Sequence, residues 1–122
     1  MKASELRIGN YFKGIRVGIV KSIFTTHFTV EDENGIQLGN SIQDNFQPIP
    51  LTEEWLLKFG FEKDEEYDNT FNRYISVFNG FTTITIDISA NVLLLDNMEI
   101  KLHFVHQLQN LYFALTGEEL TL

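Results

Sequence analysis

The chain has 122 residues with nine basic and seventeen acidic side chains, three His and no Cys, giving a net charge of -8. Lack of Cys excludes disulfides, thiol nucleophiles and thiolate metal sites, while 43% hydrophobic and 13% aromatic residues exclude a disordered composition. The charge is uneven: residues 1–50 carry five basic and five acidic side chains and residues 51–122 four basic and twelve acidic, so the second part repels nucleic-acid phosphates.

No apolar run reaches the length of a signal-peptide core or the roughly eighteen residues of a membrane span, which predicts a cytoplasmic protein without membrane association. In chain order, segments 10–12, 16–24 and 27–31 are rich in Val, Ile, Phe and Thr and predict strands. Asn34-Gly35 offers a tight turn into a return strand at 36–38, and a further strand at 46–49 ends at Pro50, which cannot donate to a ladder. Strand number and spacing, with the Ile8-Gly-Asn-Tyr-Phe12 opening, Gly14 and the long strand from Arg16, resemble a small SH3-like barrel over residues 1–50.

Pro48-Ile-Pro50 predicts a stiff connector, followed by a short helix. Thr52 suits its N-cap, Glu53 and Glu54 its positive end, Leu51 and Leu56 a hydrophobic staple, and Gly60 its stop. Trp55, Leu56 and Phe59 must then stabilise it by packing, because two turns are marginal alone. The acidic residues 62–70 read as a loop. A hairpin follows, with strands 73–78 and 81–88 about Asn79-Gly80, in which Ile84, Ile86 and Ile88 take the dry face and Thr83, Thr85 and Asp87 the wet one. Turns at 89–91 and 96–97 lead to strands 92–95 and 98–103, completing a four-stranded antiparallel meander.

Phe104, Leu108, Leu111 and Leu115 are spaced by four, three and four, which places them on one face of a C-terminal helix that Gly117 ends. The expectation is an α+β fold: a small barrel over 1–50, then a helix, a four-stranded meander and a C-terminal helix over 51–122, with both helices on the dry face of the meander.

Few residues suggest chemistry. His103 and His106 with Glu99 are the sole set for a metal-dependent enzyme, but they lack Cys and any recognised ligand spacing. Ser41, Ser76 and Ser89 stand in turn or strand contexts without a nucleophile motif, and no Gly-rich phosphate loop occurs. Asp64, Glu65, Glu66 and Asp68 read as a solvated charge run. No catalytic, metal or cofactor residue is therefore assigned.

Two binding surfaces are candidates. Lys2, Arg7, Lys13, Arg16 and Lys21 interleave with Tyr11 and Phe12, and basic and aromatic residues together bind single-stranded nucleic acid; Lys13, Arg16 and Lys21 are its candidates. Gln107, Gln109 and Asn110 form an uncharged amide face on the last helix, which points to contact with another protein, a second copy or the N-terminal module. Trp55 and Tyr112 lie at core spacing.

Three blocks, Leu6-Arg-Ile-Gly-Asn-Tyr11, Pro48-Ile-Pro-Leu-Thr-Glu-Glu-Trp-Leu-Leu-Lys-Phe-Gly-Phe61 and His106-Gln-Leu-Gln-Asn-Leu-Tyr-Phe-Ala-Leu-Thr-Gly-Glu-Glu-Leu120, resemble a family of short proteins of anaerobic gut bacteria and their phages that has no assigned activity. The resemblance implies an accessory protein linked to mobile elements and carries over no catalytic residue. The expected function is a non-enzymatic protein-binding or adaptor module, the alternative being nucleic-acid association through the N-terminal strands.

Overall fold

The computed structural model describes residues 6–13, 17–23, 28–32, 35–39, 48–77, 80–96 and 98–121. It is an α+β protein with two antiparallel sheets and two helices. The chain forms two compact units, Met1–Ile49 with Phe104–Asn110, and Pro50–His103 with Leu111–Leu122. Sequence reading divides the chain once, near residue 50; in the structure the start of the last helix groups with the first unit.

The first unit holds β1 (Tyr11–Lys13), β2 (Val17–Ile23), β3 (Phe28–Asp32) and β4 (Gly35–Gly39) in sequential antiparallel order. Phe12 pairs with Gly18, and the β2–β3 register shifts between Val20 and Ser22. Asp32 pairs with Gly35, whose φ of 120° suits glycine at the start of β4. Asn34, the other half of the expected turn, lies outside the described residues. Leu6, Phe12, Val20, Ile49, Val105 and Leu108 form its buried apolar set. Among the described residues the sheet does not close into the expected barrel: β1 and β4 are its two edges. Of the expected strand at 46–49, Pro48 and Ile49 are not strand, and 46–47 lie outside the described residues.

In the second unit α1 (Glu53–Lys58) starts after Thr52, which has the extended backbone of an N-cap but makes no side-chain cap bond. Its C-terminus is better defined. Gly60, at φ 89°, donates its N–H to the Leu57 carbonyl (3.1 Å) and Phe61 donates to that of Leu56 (2.9 Å), the paired bonds of a glycine-terminated helix. Leu56 and Phe61 are both buried, as that motif's apolar contact requires.

The sheet of this unit has five strands in sequential order, β5 (Glu62–Lys63), β6 (Thr70–Val77), β7 (Gly80–Asp87), β8 (Val92–Leu95) and β9 (Met98–Lys101). The four-stranded meander is thus corrected to five strands, because the expected acidic loop begins as β5 and ends as the first residue of β6. Asp64 makes this possible. Its Oδ1 accepts from the Glu66 and Tyr67 N–H groups (2.8 and 3.1 Å) and its Oδ2 from Asn72 Nδ2 (3.0 Å), turning the chain back onto β6. Phe71, Ile75, Ile84, Ile86 and Leu93 share one buried face, with Ile84 and Ile86 as the alternation predicts. Val77 pairs directly with Gly80, so Gly80 belongs to the strand and the connection is residues 78–79, outside the described set.

α2 (Val105–Thr116) buries a different stripe from the expected one. Val105, Leu108, Gln109 and Tyr112 are buried, whereas Phe104, Leu111 and Leu115 are half-buried. The stripe follows the i, i+3, i+4, i+7 rule, but one of its members is an amide. Gly117, at φ 77°, donates to the Phe113 carbonyl (2.8 Å) and ends the helix.

Candidate functional site

The outward face of the second unit's sheet carries the most exposed aromatic surface among the described residues. Tyr74 pairs with Thr83 and Ser76 with Phe81, so Tyr74 and Phe81 are diagonal neighbours on one face. Their rings stack with centroids 5.3 Å apart and planes 12° from parallel. Tyr74 is 68% exposed and Phe81 66%. Leu94, opposite Thr85 on the next pair of strands, continues the face and is also exposed.

Beside this pair lies an open depression of about 470 Å³ lined by Gly60, Glu62, Asn72, Arg73, Tyr74 and Thr83. Its polar groups are unequal. Arg73 turns its guanidinium inward, donating through Nη1 to the Phe59 carbonyl and lying 5.0 Å from the Tyr112 ring centre. Gly60 lies beside it, and its positive φ of 89° is what calls for glycine, since a Cβ there would make only ordinary contact with Nη1 at 3.6 Å. Asn72 is also committed, donating to Asp64 and accepting from Thr85 Oγ1 (2.7 Å). Glu62 is exposed on the rim.

The Asp64 carboxyl is held below the ordinary Asp range, first by the Glu66 N–H, then by the Asn72 amide and the Tyr67 N–H. Asp87 is lowered likewise, chiefly by the Ser89 hydroxyl at 2.6 Å, with the Ser89 and Ala90 N–H groups adding to it. Both carboxylates order turns.

The edge of β6 completes the site. β5 pairs only with Phe71 and Asn72, leaving the rest of β6 without a strand on that side among the described residues. Asp64 donates its N–H to the Thr70 carbonyl (2.8 Å), so Thr70 faces the β5 side. Alternation along a strand then aims the N–H and C=O groups of Asn72, Tyr74 and Ser76 the same way.

The expected site residues stand elsewhere. His103 and Glu99 are exposed, while His106 is buried with Phe12 edge-on to it (6.1 Å, 67°) and Phe104 stacked (5.9 Å, 14°). Among the described residues no group of three or more His, Asp and Glu is placed to hold a metal ion. Lys13 and Lys21 are exposed; Arg16, Lys2 and Ser41 lie outside the described residues. Phe12 is buried and is not offered to a nucleic-acid base, and Arg7 Nη1 donates to Asn110 Oδ1 (3.2 Å). Ser76 is exposed in β6. Trp55 is half-buried against Phe59 (5.6 Å) with Lys58 Nζ 5.8 Å from its ring, and Tyr112 is buried.

Of the contacts expected for the amide face, the described residues show the one with the N-terminal segment. Gln109 is fully buried, its Oε1 accepting from the Tyr11 N–H (2.7 Å) and its Nε2 donating to the Gly9 carbonyl (3.2 Å). Asn110 Oδ1 accepts from buried Asn10 Nδ2 (2.8 Å), and Gln107 Oε1 accepts from the Phe104 N–H (3.2 Å), closing the helix start from its third position. These amides satisfy backbone and side-chain groups of their own unit, because the edge strand β1 leaves such groups to be met.

Sequence reasoning missed Tyr74 and Phe81. Their signal was parity: Phe81 shares the outward phase of Thr83 and Thr85, and Tyr74 is out of phase with the buried Phe71 and Ile75. No described helix is long and apolar enough to cross a membrane. The described residues form an α+β protein whose second sheet carries an exposed aromatic pair and, among those residues, an open strand edge. No family model, curated protein or solved structure matches the chain.

Proposed function

We propose that this chain is a non-enzymatic protein-binding module, an accessory protein of the mobile-element kind that its sequence blocks resemble. The observation that carries the reading is the stacked Tyr74–Phe81 pair, two large rings about two-thirds exposed on a sheet face. Burying such a ring contributes on the order of 2 kcal/mol, and rigid aromatics are the usual anchors of protein interfaces. Arg73 and Asn72 of the depression beside them are already held by Phe59, Asp64 and Thr85, which leaves the rings as its exposed anchors.

Selection from a random peptide display library against the whole chain tests this. Enriched peptides should bind the unaltered chain and lose at least about tenfold in affinity against the Tyr74→Ala/Phe81→Ser double variant. Both side chains point to solvent, so the variant should melt close to the parent. Absence of enrichment over an unrelated acidic protein, or binders indifferent to the double substitution, would overturn the reading.

A further inference from the structure

Resting on that reading, we infer that the open edge of β6 takes its partner as an added strand and that the partner segment is extended and basic. β6 runs for eight residues while β5 covers two of them. From Tyr74 to Ser76 the N–H and C=O groups on the β5 side have the spacing of a ladder that no strand fills among the described residues. Natural edges of this kind are normally blocked by charge, proline or a bulge. Here the two residues whose backbone faces outward, Tyr74 and Ser76, are uncharged and exposed. Strand addition is the recognition mode that such an edge supports, with backbone bonds giving affinity and alternate side chains giving choice.

The neighbouring groups state that choice. A strand added beside Tyr74 and Ser76 extends β5's position in the sheet, so one set of its side chains lies next to the Tyr74–Phe81 rings and favours apolar residues. The depression at its end has Glu62 on its rim, and exposed Glu65, Glu66 and Asp68 follow in the adjoining turn. Arg73, the cation of that depression, is turned onto Phe59 and Tyr112 and does not neutralise them. With four basic and twelve acidic residues across 51–122, the field attracts a cationic segment and repels a second copy of this chain.

The probe is a fluorescein-labelled peptide of about nine residues built from Lys, Val, Thr and Phe without Pro, titrated into the full chain by anisotropy. Three altered peptides accompany it: one with Glu for every Lys, and two N-methylated on alternate residues in the two opposite phases. The basic peptide should bind. One methylation phase, the one that removes the ladder N–H groups, should weaken binding by at least about tenfold and the other should not. The Glu peptide, and the Glu62→Lys chain with the basic peptide, should each lose several-fold, and binding should fall between about 50 mM and about 500 mM salt.

Ser76→Pro should weaken binding as the active methylation phase does, with a thermal melt confirming its fold. Since the methylated peptides leave the protein unaltered, a misfolded variant does not blunt the test. No binding, equal effects of both phases, or equal binding of the Glu peptide would overturn the inference. A dimer by sedimentation that Ser76→Pro converts to monomer would also overturn it, in favour of a second copy. If these experiments fail while display selection still yields binders dependent on Tyr74 and Phe81, the protein-binding reading stands and only the basic strand is wrong.

Discussion

Gln109 shows how one side chain can hold a strand edge. Its carboxamide meets together the Tyr11 N–H, at the start of the edge strand β1, and the carbonyl of Gly9 in the turn just before it. Gln109→Leu keeps the volume but orphans both groups, and each buried unsatisfied group costs about 1–3 kcal/mol. Urea unfolding should show a loss of about 2–5 kcal/mol; a loss under about 1 kcal/mol would mean the clamp is dispensable. Asp64 gives a pH prediction. Its carboxyl is more acidic in the fold, so its stabilisation is complete above the unfolded Asp value of about 4 and is lost as pH falls through the lower folded value. The stability gap between the parent chain and Asp64→Asn should therefore be largest near neutral pH and shrink as pH falls below the unfolded Asp value of about 4; a gap that is constant with pH would remove this role. Asp64's part was not legible in the sequence. The uncharged amide face marked Gln109 for a contact, but not its partners, which lie 98 and 100 positions away.

At the level of elements, local signals were read well and non-local ones poorly. Isoleucines alternating through β7, and glycines placed for positive φ at 35, 60, 80 and 117, made the second hairpins and both helix ends legible before any coordinates. β5 was not legible, since two residues carry no periodicity and its pairing follows from the turn that Asp64 builds. The α2 stripe was displaced by one position for a related reason: hydropathy selects Leu111 and Leu115 over Gln109, whereas hydrogen bonding decides which residue is interior. The two stripes predict different mutants. Leu108→Ala should cost about 2–5 kcal/mol as a fully buried leucine, and Leu111→Ala distinctly less. Equal losses in denaturant unfolding would restore the hydropathy stripe. Nothing in the hairpin's own pattern marked the Tyr74 edge, because an edge is a property of strand order.

For the whole molecule, composition delimited the function more than it identified it. The chain has no Cys, and its acidic excess falls entirely in residues 51–122, so the charge bias lies with the open β6 edge and the aromatic pair. The same three sequence blocks that suggest a family are structurally busy: Arg7, Asn10 and Tyr11 of the first bond to Gln109 and Asn110 of the last, within one unit. Such wording reports packing needs and leaves the proposed binding face, between the blocks, unmarked. Amide hydrogen exchange resolved residue by residue reaches that face directly. In the free chain the Tyr74 and Ser76 amides should exchange at least about tenfold faster than those of Arg73 and Ile75, whose N–H groups face β7. A saturating basic peptide should then slow Tyr74 and Ser76 and leave the other pair unchanged. If Tyr74 and Ser76 are already slow in the free chain, or stay fast with the peptide bound, the strand-addition account is contradicted.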